Sequence, residues 1–136
     1  AYPCKESDIG IAMMTEMTYM SIGGKNVLLL PGESFASTVY GGYMSADVAP
    51  TGKGPEINPT PLAEIAGDPN LIVFGVSNDM SGYVVPPNDF ILNPTQPYLN
   101  GVKDKNGLNH YHETNSMGIG SQKTIADAFE KVVARF

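Results

Sequence analysis

Three polar clusters in this chain carry side chains able to do chemistry, and each follows or neighbours an apolar run. They are Glu33-Ser34, the stretch Ser77-Asn78-Asp79-Met80-Ser81-Gly82-Tyr83, and His110-Tyr111-His112-Glu113. A carboxylate, a phenol and two imidazoles are all suited to binding zinc or to moving protons. Spacing alone does not specify a site. On a strand, His110 and His112 would face the same side, yet two ligands leave a metal site incomplete. The plainer readings stand beside these. Surface or hydrogen-bonded histidines, an acidic Glu33 favouring a helix N-terminus, and a Tyr83 packed on a sheet edge would each explain the residue. Ser34 and Ser116 lack triad context and read as cap and loop residues. Gly118-Ile119-Gly120 before a helix is a weak anion-binding signal.

The elements that must position these groups can be read from the apolar pattern. Val27-Leu28-Leu29-Leu30 is a run of aliphatic residues without alternation, ending at Pro31-Gly32. Such a run fits a strand buried on both faces in a parallel or mixed sheet with helix cover. Pro31 cannot donate to a ladder and Gly32 admits unusual backbone angles, so Glu33 falls just past the strand's carboxyl end. In open α/β sheets, ligands bind there.

Upstream, residues 9–22 place Ile11, Met13, Thr15, Met17 and Tyr19 on one parity and predict a long strand. Gly23-Gly24 then makes a hairpin turn into a return strand over residues 26–30. Of seven methionines, four lie between Met13 and Met20, a density that fits a pliable lipid-binding face or, as the plainer reading, irregular core filling. Residues 34–40 predict a short helix capped by Ser34 and stopped by Gly41-Gly42, and residues 44–59 a loop or surface insertion. A second short helix follows over residues 60–67, with Thr60 as N-cap, Pro61 in the first turn and Gly67 as terminator. Residues 71–76 read as a second buried strand, residues 82–87 as a brief extended segment, and residues 88–109 as loop. Ile125, Ala128, Phe129, Val132, Val133 and Phe136 recur at helical spacing, with Lys131 and Arg135 at the carboxyl end of that helix. The fold class expected is α/β: a mixed sheet with an N-terminal β-hairpin, short helices, and a C-terminal amphipathic helix packed on the sheet.

Composition bounds the rest. The 136 residues fit a single domain spanning 1–136 and able to bury about two thirds of its unfolded surface. A net charge of -6 gives no electrostatic footprint for nucleic acid. Cys4, the single cysteine, excludes an internal disulfide and leaves the redox compartment open. No apolar run approaches the roughly 20 residues of a membrane span. The opening Ala1-Tyr2-Pro3-Cys4, without an initiator Met, suggests a processed chain or an excised piece.

Taken in order, Leu30-Pro31-Gly32-Glu33, then Gly75-Val76-Ser77-Asn78-Asp79-Met80-Ser81-Gly82-Tyr83-Val84-Val85-Pro86-Pro87-Asn88-Asp89-Phe90, then Tyr111-His112-Glu113-Thr114-Asn115-Ser116-Met117-Gly118, form a pattern that resembles the neutral/alkaline (non-lysosomal) ceramidases. The resemblance runs from about Ile9 to the last helix and covers only the C-terminal part of that family's catalytic domain. It implies a zinc ion held by two histidines, a glutamate and a tyrosine. Glu33 matches the glutamate of Pro-Gly-Glu, and Tyr83 the tyrosine that closes an Asn-x-x-x-x-Tyr segment begun by Asn78. Tyr111 matches a tyrosine near the substrate amide. The implied reaction is hydrolysis of the N-acyl amide of ceramide or a related lipid amide. No organic cofactor is implied.

The chain departs from the family at Ser37-Thr38-Val39-Tyr40-Gly41-Gly42, where an Arg-Arg pair is usual, and at Met80, where an aromatic is usual. The loop over residues 44–59 looks like an addition. Both histidine ligands and the family's essential serine would lie upstream, outside this chain. The expectation is therefore a fragment or subunit of a divergent zinc amidohydrolase, partnered by the upstream part of the same protein or by another chain. His110 or His112 completing the metal site is the lesser variant. A secreted or periplasmic location follows from the family alone. A bare sheet edge left by the missing part would favour self-association. The competing expectation is a non-catalytic binding or assembly domain that keeps the fold without the chemistry. A blander one still is an α/β domain whose motifs only shape turns.

Overall fold

The structure, a computed structural model, describes residues 13–93 and 102–136, together with the backbone of Tyr2–Pro3 and Ile11–Ala12. Its centre is a three-stranded mixed sheet made of β3 (Thr18–Ile22), β4 (Lys25–Leu29) and β6 (Ile72–Phe74). β4 lies in the middle. It pairs antiparallel with β3, from Thr18↔Leu29 to Ile22↔Lys25, and parallel with β6, from Val27↔Ile72 to Leu29↔Phe74. The β3–β4 turn is Gly23-Gly24 as expected, with φ of 58° and 74°, the positive pair that a two-residue hairpin demands.

Burial follows the apolar run. Leu28 and Leu30 are fully buried, and they share a core with Val39, Leu62, Ala63, Leu71 and Phe129. The C-terminal helix α3 (Ser121–Val133) lays Phe129 into this core, its ring edge-on to Tyr19 at 5.2 Å. Helix and sheet are thus joined by apolar burial, and each large side chain fully buried there contributes about 1.5–3 kcal/mol. Two shorter helices, α1 (Ala36–Tyr40) and α2 (Leu62–Ile65), supply Val39, Leu62 and Ala63 to the same core. The α/β class with a mixed sheet, short helices and a packed C-terminal helix is the architecture observed. Among the described residues no helix is long and apolar enough to cross a membrane.

Several local expectations are corrected. The long strand over residues 9–22 is two elements, β2 (Ile11–Ala12), paired with β1 (Tyr2–Pro3), and β3; Ile9 and Gly10 lie outside the described residues. The reason is register: the hairpin ladder ends at Thr18↔Leu29, and the residues ahead of β3 are held by loops instead. Thr15 Oγ1 donates to Asp79, and the Asn78 amide donates to the Glu16 carbonyl.

The strand expected over residues 71–76 as a second buried strand is three residues long and, among the described residues, lies at the edge of its sheet. Leu71 just before it is buried, but Phe74 is 55% exposed and Ile72 is also exposed. Neither Ser34 nor Thr60 caps a helix. Ser34 sits in a short strand, Phe35 and Pro61 occupy the cap positions of α1 and α2, and neither helix has a side-chain cap bond. Phe136 falls beyond α3 and is mostly exposed, although its ring leans on Tyr19. The segment over residues 88–109 contains a short hairpin, β8 (Val102–Lys103) with β9 (Asn109–His110).

Candidate functional site

Beyond β4 the chain turns at Pro31-Gly32 and enters β5 (Glu33–Ser34), which pairs parallel with β7 (Tyr83–Val84). Glu33 and Tyr83 are direct register partners in this ladder. Opposed residues of a ladder project from the same face, so the carboxylate and the phenol stand side by side. The approach depends on glycine at two points. A Cβ on Gly32 would come within 2.8 Å of the Gly82 carbonyl, and Gly82 itself adopts φ +81° against the Asn115 backbone. Glu33 N–H donates to the Gly82 carbonyl, and Ser81 N–H to the Pro31 carbonyl, locking the crossing.

The third cluster is delivered by β9 and the 3-10 turn Glu113–Asn115. The Tyr111 hydroxyl lies 3.0 Å from the Tyr83 hydroxyl, and the two rings meet edge-to-face at 5.7 Å. His112 stacks beside Tyr111 and packs edge-on to Tyr83 and Phe35. These rings and Glu33 line two adjoining hollows. The larger, about 580 Å³, is walled by Glu33, Tyr83 and Tyr111, with Met13, Val76, Met80 and Met117 as its apolar lining. The smaller, about 220 Å³, is bounded by Glu33, Ser34, Phe35, Tyr83, Tyr111 and His112.

The electrostatics agree with the geometry. The hydrogen bond with Tyr111, then partial desolvation, then the negative charge of Glu33 push the Tyr83 phenol up to about 12. Val76, in the wall of the larger hollow, holds φ +54°, a strained conformation for a β-branched residue. Strain of that kind is worth about 1–3 kcal/mol and gathers at ligand sites.

No protein-family model, no curated protein and no solved structure matches this chain.

Glu33, Tyr83 and Tyr111 are therefore assembled into one place by the fold itself. A carboxylate and a phenol on one rung are oxygen groups able to bind a cation or to move a proton. Among the described residues no group of three or more His, Cys, Asp or Glu is placed to hold a metal ion.

The two histidines do not share a face as a strand would require. β9 ends at His110, so the chain turns before His112. His112 joins the aromatic group, while His110 is buried, with Nδ1 2.6 Å from Glu113 Oε1. Ser116 serves the loop, accepting from Gly118 N–H, and pairs with Tyr83 through an isolated bridge. Sequence reasoning missed Phe35 and His112 as ring neighbours of Tyr83, and missed Glu113 as a buried anchor. Phe35 offered a signal, since it follows Glu33 by two residues and so lies on the same side of an extended segment.

Proposed function

We propose that this chain is the part of a zinc-dependent amidohydrolase, similar to the neutral/alkaline ceramidases, that contributes one carboxylate and one phenol to the metal and a second phenol to the substrate. The observation that carries this reading is the Glu33–Tyr83 rung with the Tyr111 hydroxyl 3.0 Å from the Tyr83 hydroxyl. Three residues 28 to 78 positions apart in sequence, each matching a named role in the family pattern, meet in one open hollow.

In this reading Glu33 and Tyr83 hold zinc together with two histidines from the upstream part of the same protein or from a partner chain. The chemistry zinc supplies when bound is polarisation of the amide carbonyl and acidification of a water. Tyr111 offers a hydroxyl donor where negative charge would develop on the carbonyl oxygen, the placement that stabilises acyl-transfer transition states. Met13, Val76, Met80 and Met117 offer an apolar wall to a lipid acyl chain. The exposed edge at β6, with Ile72 and Phe74 outward, is where the remaining part of the sheet or a second chain would pair. A secreted or periplasmic location would accompany this resemblance.

The test uses the natural full-length protein. Its zinc content is measured alongside hydrolysis of a fluorescent short-chain N-acylsphingosine. The expected result is about one zinc per chain, lost in Glu33→Ala and weakened in Tyr83→Phe, with hydrolysis lost in parallel. A natural protein that binds no zinc and cleaves no amide overturns this reading. It would favour the second one, a binding or assembly domain, which draws support from the half-complete donor set among the described residues.

A further inference from the structure

Tyr111 and His112 form a two-residue arch whose feet are His110 and Glu113. Both feet are buried, at 7% and 3% exposure. His110 Nδ1 meets Glu113 Oε1 at 2.6 Å, and Ile91 N–H donates to the same oxygen at 3.2 Å. On the other side of the ring, His110 Nε2 lies 3.4 Å from Asp104 Oδ2. Asp104 in turn accepts the N–H groups of Asn106 and Leu108 through its other oxygen. One imidazole and two carboxylates thus tie together the β8–β9 hairpin, the segment after the 3-10 turn Pro87–Asp89, and the arch itself.

We infer that His110 and Glu113 are positioning residues that hold the Tyr111 hydroxyl against that of Tyr83. The inference rests on the proposed function only for what Tyr111 does there; the placement of Tyr111 needs neither zinc nor a reaction. An apolar pair could fill the same space at lower desolvation cost, since buried charge is expensive unless paired. What the charged pair adds is direction. A bond from a ring nitrogen to one carboxylate oxygen fixes both the distance between the feet and the orientation of the ring, as carboxylates do for histidines at metal centres. Glu113 Oε2 has no partner among the described residues, so Oε1 alone receives both His110 and Ile91.

The groups facing His110 are Glu113 on the arch, Asp104 in the hairpin turn and Asp89 from the 3-10 turn, with His112 also acting on Asp89. Burial works against the imidazolium, but the bond and charge of Glu113, then Asp104 and Asp89, outweigh it and raise the His110 pKa.

The test labels the natural full-length protein with 3-fluorotyrosine, without added zinc, and assigns the Tyr111 fluorine signal with Tyr111→Phe. Glu113→Met keeps the volume and removes the acceptor; Glu113→Gln keeps an acceptor and removes the charge. The expected result is that Glu113→Met moves the Tyr111 signal towards that of a free tyrosine and erases its ring contact with Tyr83. Signals from Tyr19 and Tyr43 hold, and Glu113→Gln restores Tyr111. His110→Phe, the second variant, moves the same signal the same way. An unmoved Tyr111 signal in folded Glu113→Met overturns the inference. So does an equal shift of all tyrosine signals, or failure of both Glu113→Met and His110→Phe to fold, because the pair then serves the whole fold. The readout is independent of hydrolysis and metal content, so this inference and the zinc-hydrolase reading fail by different observations.

Discussion

The hydroxyls of Tyr83 and Tyr111 lie 3.0 Å apart, although one belongs to a strand beside Glu33 and the other to a turn 28 residues further on. The bond favours the neutral phenol of Tyr83, and the Glu33 carboxylate beside it acts in the same direction.

Tyr111→Phe removes that bond. In the metal-free protein the Tyr83 titration should fall from about 12 towards the ordinary tyrosine value of about 10. Ultraviolet difference absorbance against pH follows it directly. Both groups stand in an open hollow, so the urea midpoint should hardly move. A Tyr83 titration unchanged in the variant would show that Tyr111 is not its partner in solution.

Gly82→Ala should be severe. The residue holds φ +81°, and an added Cβ would strike the Asn115 carbonyl. The left-handed conformation alone costs an L-residue about 1–2 kcal/mol, and the backbone clash adds to it. Because Tyr83 is the next residue, the Glu33–Tyr83 rung should open as well. Urea unfolding gives the first effect, and amide exchange at Glu33, whose N–H donates to the Gly82 carbonyl, gives the second.

Val76→Gly should do the reverse. It relieves a positive φ of 54° at a side chain that is 45% exposed and so loses little burial. Against a strain of about 1–3 kcal/mol stands the extra unfolded-state freedom of glycine, about 0.5–1 kcal/mol. A net gain of between about 0 and 2.5 kcal/mol in urea unfolding is expected, together with a more mobile wall in the larger hollow. A loss of stability would mean that the strain is absent in solution.

His110 makes stability depend on pH in a defined sense. Its pKa in the folded chain is raised, so the native state holds the proton more tightly than the unfolded one. The contribution is therefore complete below the unfolded value of about 6.5 and is lost as pH rises through the folded value. Asp104 has the opposite sense. Burial would raise it, but the N–H groups of Leu108 and Asn106 and the contact with His110 lower it. Its contribution is present above about 3.9 and is lost on acidification below that. Urea midpoints of the parent and of His110→Phe, taken from acid to mildly alkaline pH, should converge as pH rises. Parallel curves would show that His110 is not coupled to folding. Removing one partner of a buried pair costs about 3–5 kcal/mol, so the gap on the acid side should be large.

How much of this was legible in the chain differs from element to element. The central strand was, because Val27-Leu28-Leu29-Leu30 allows no amphipathic reading and Pro31-Gly32 ends it. The hairpin at Gly23-Gly24 and the buried stripe of α3 were legible for similar reasons, since positive φ and helical period are local properties. Local sequence failed at the short strands. β5 and β7 are two residues each and exist only because distant segments cross, which no propensity encodes. It failed too at His110 and His112, where periodicity put both rings on one face. A turn after His110 sends one ring into a buried charge cluster and the other to the aromatic group.

The candidate residues divide along the same line. The types and the order of Glu33, Tyr83 and Tyr111 are written in the sequence, and so is the break that leaves Glu33 at the end of a buried strand. Only the tertiary structure decided that Glu33 and Tyr83 share a rung, that Tyr111 bonds Tyr83, and that Glu113 is buried against His110. The physical reason is range. Apolar period, turn chemistry and helix ends act over a few residues, whereas these contacts are chosen by how whole segments bury their apolar faces and satisfy the backbone groups left over.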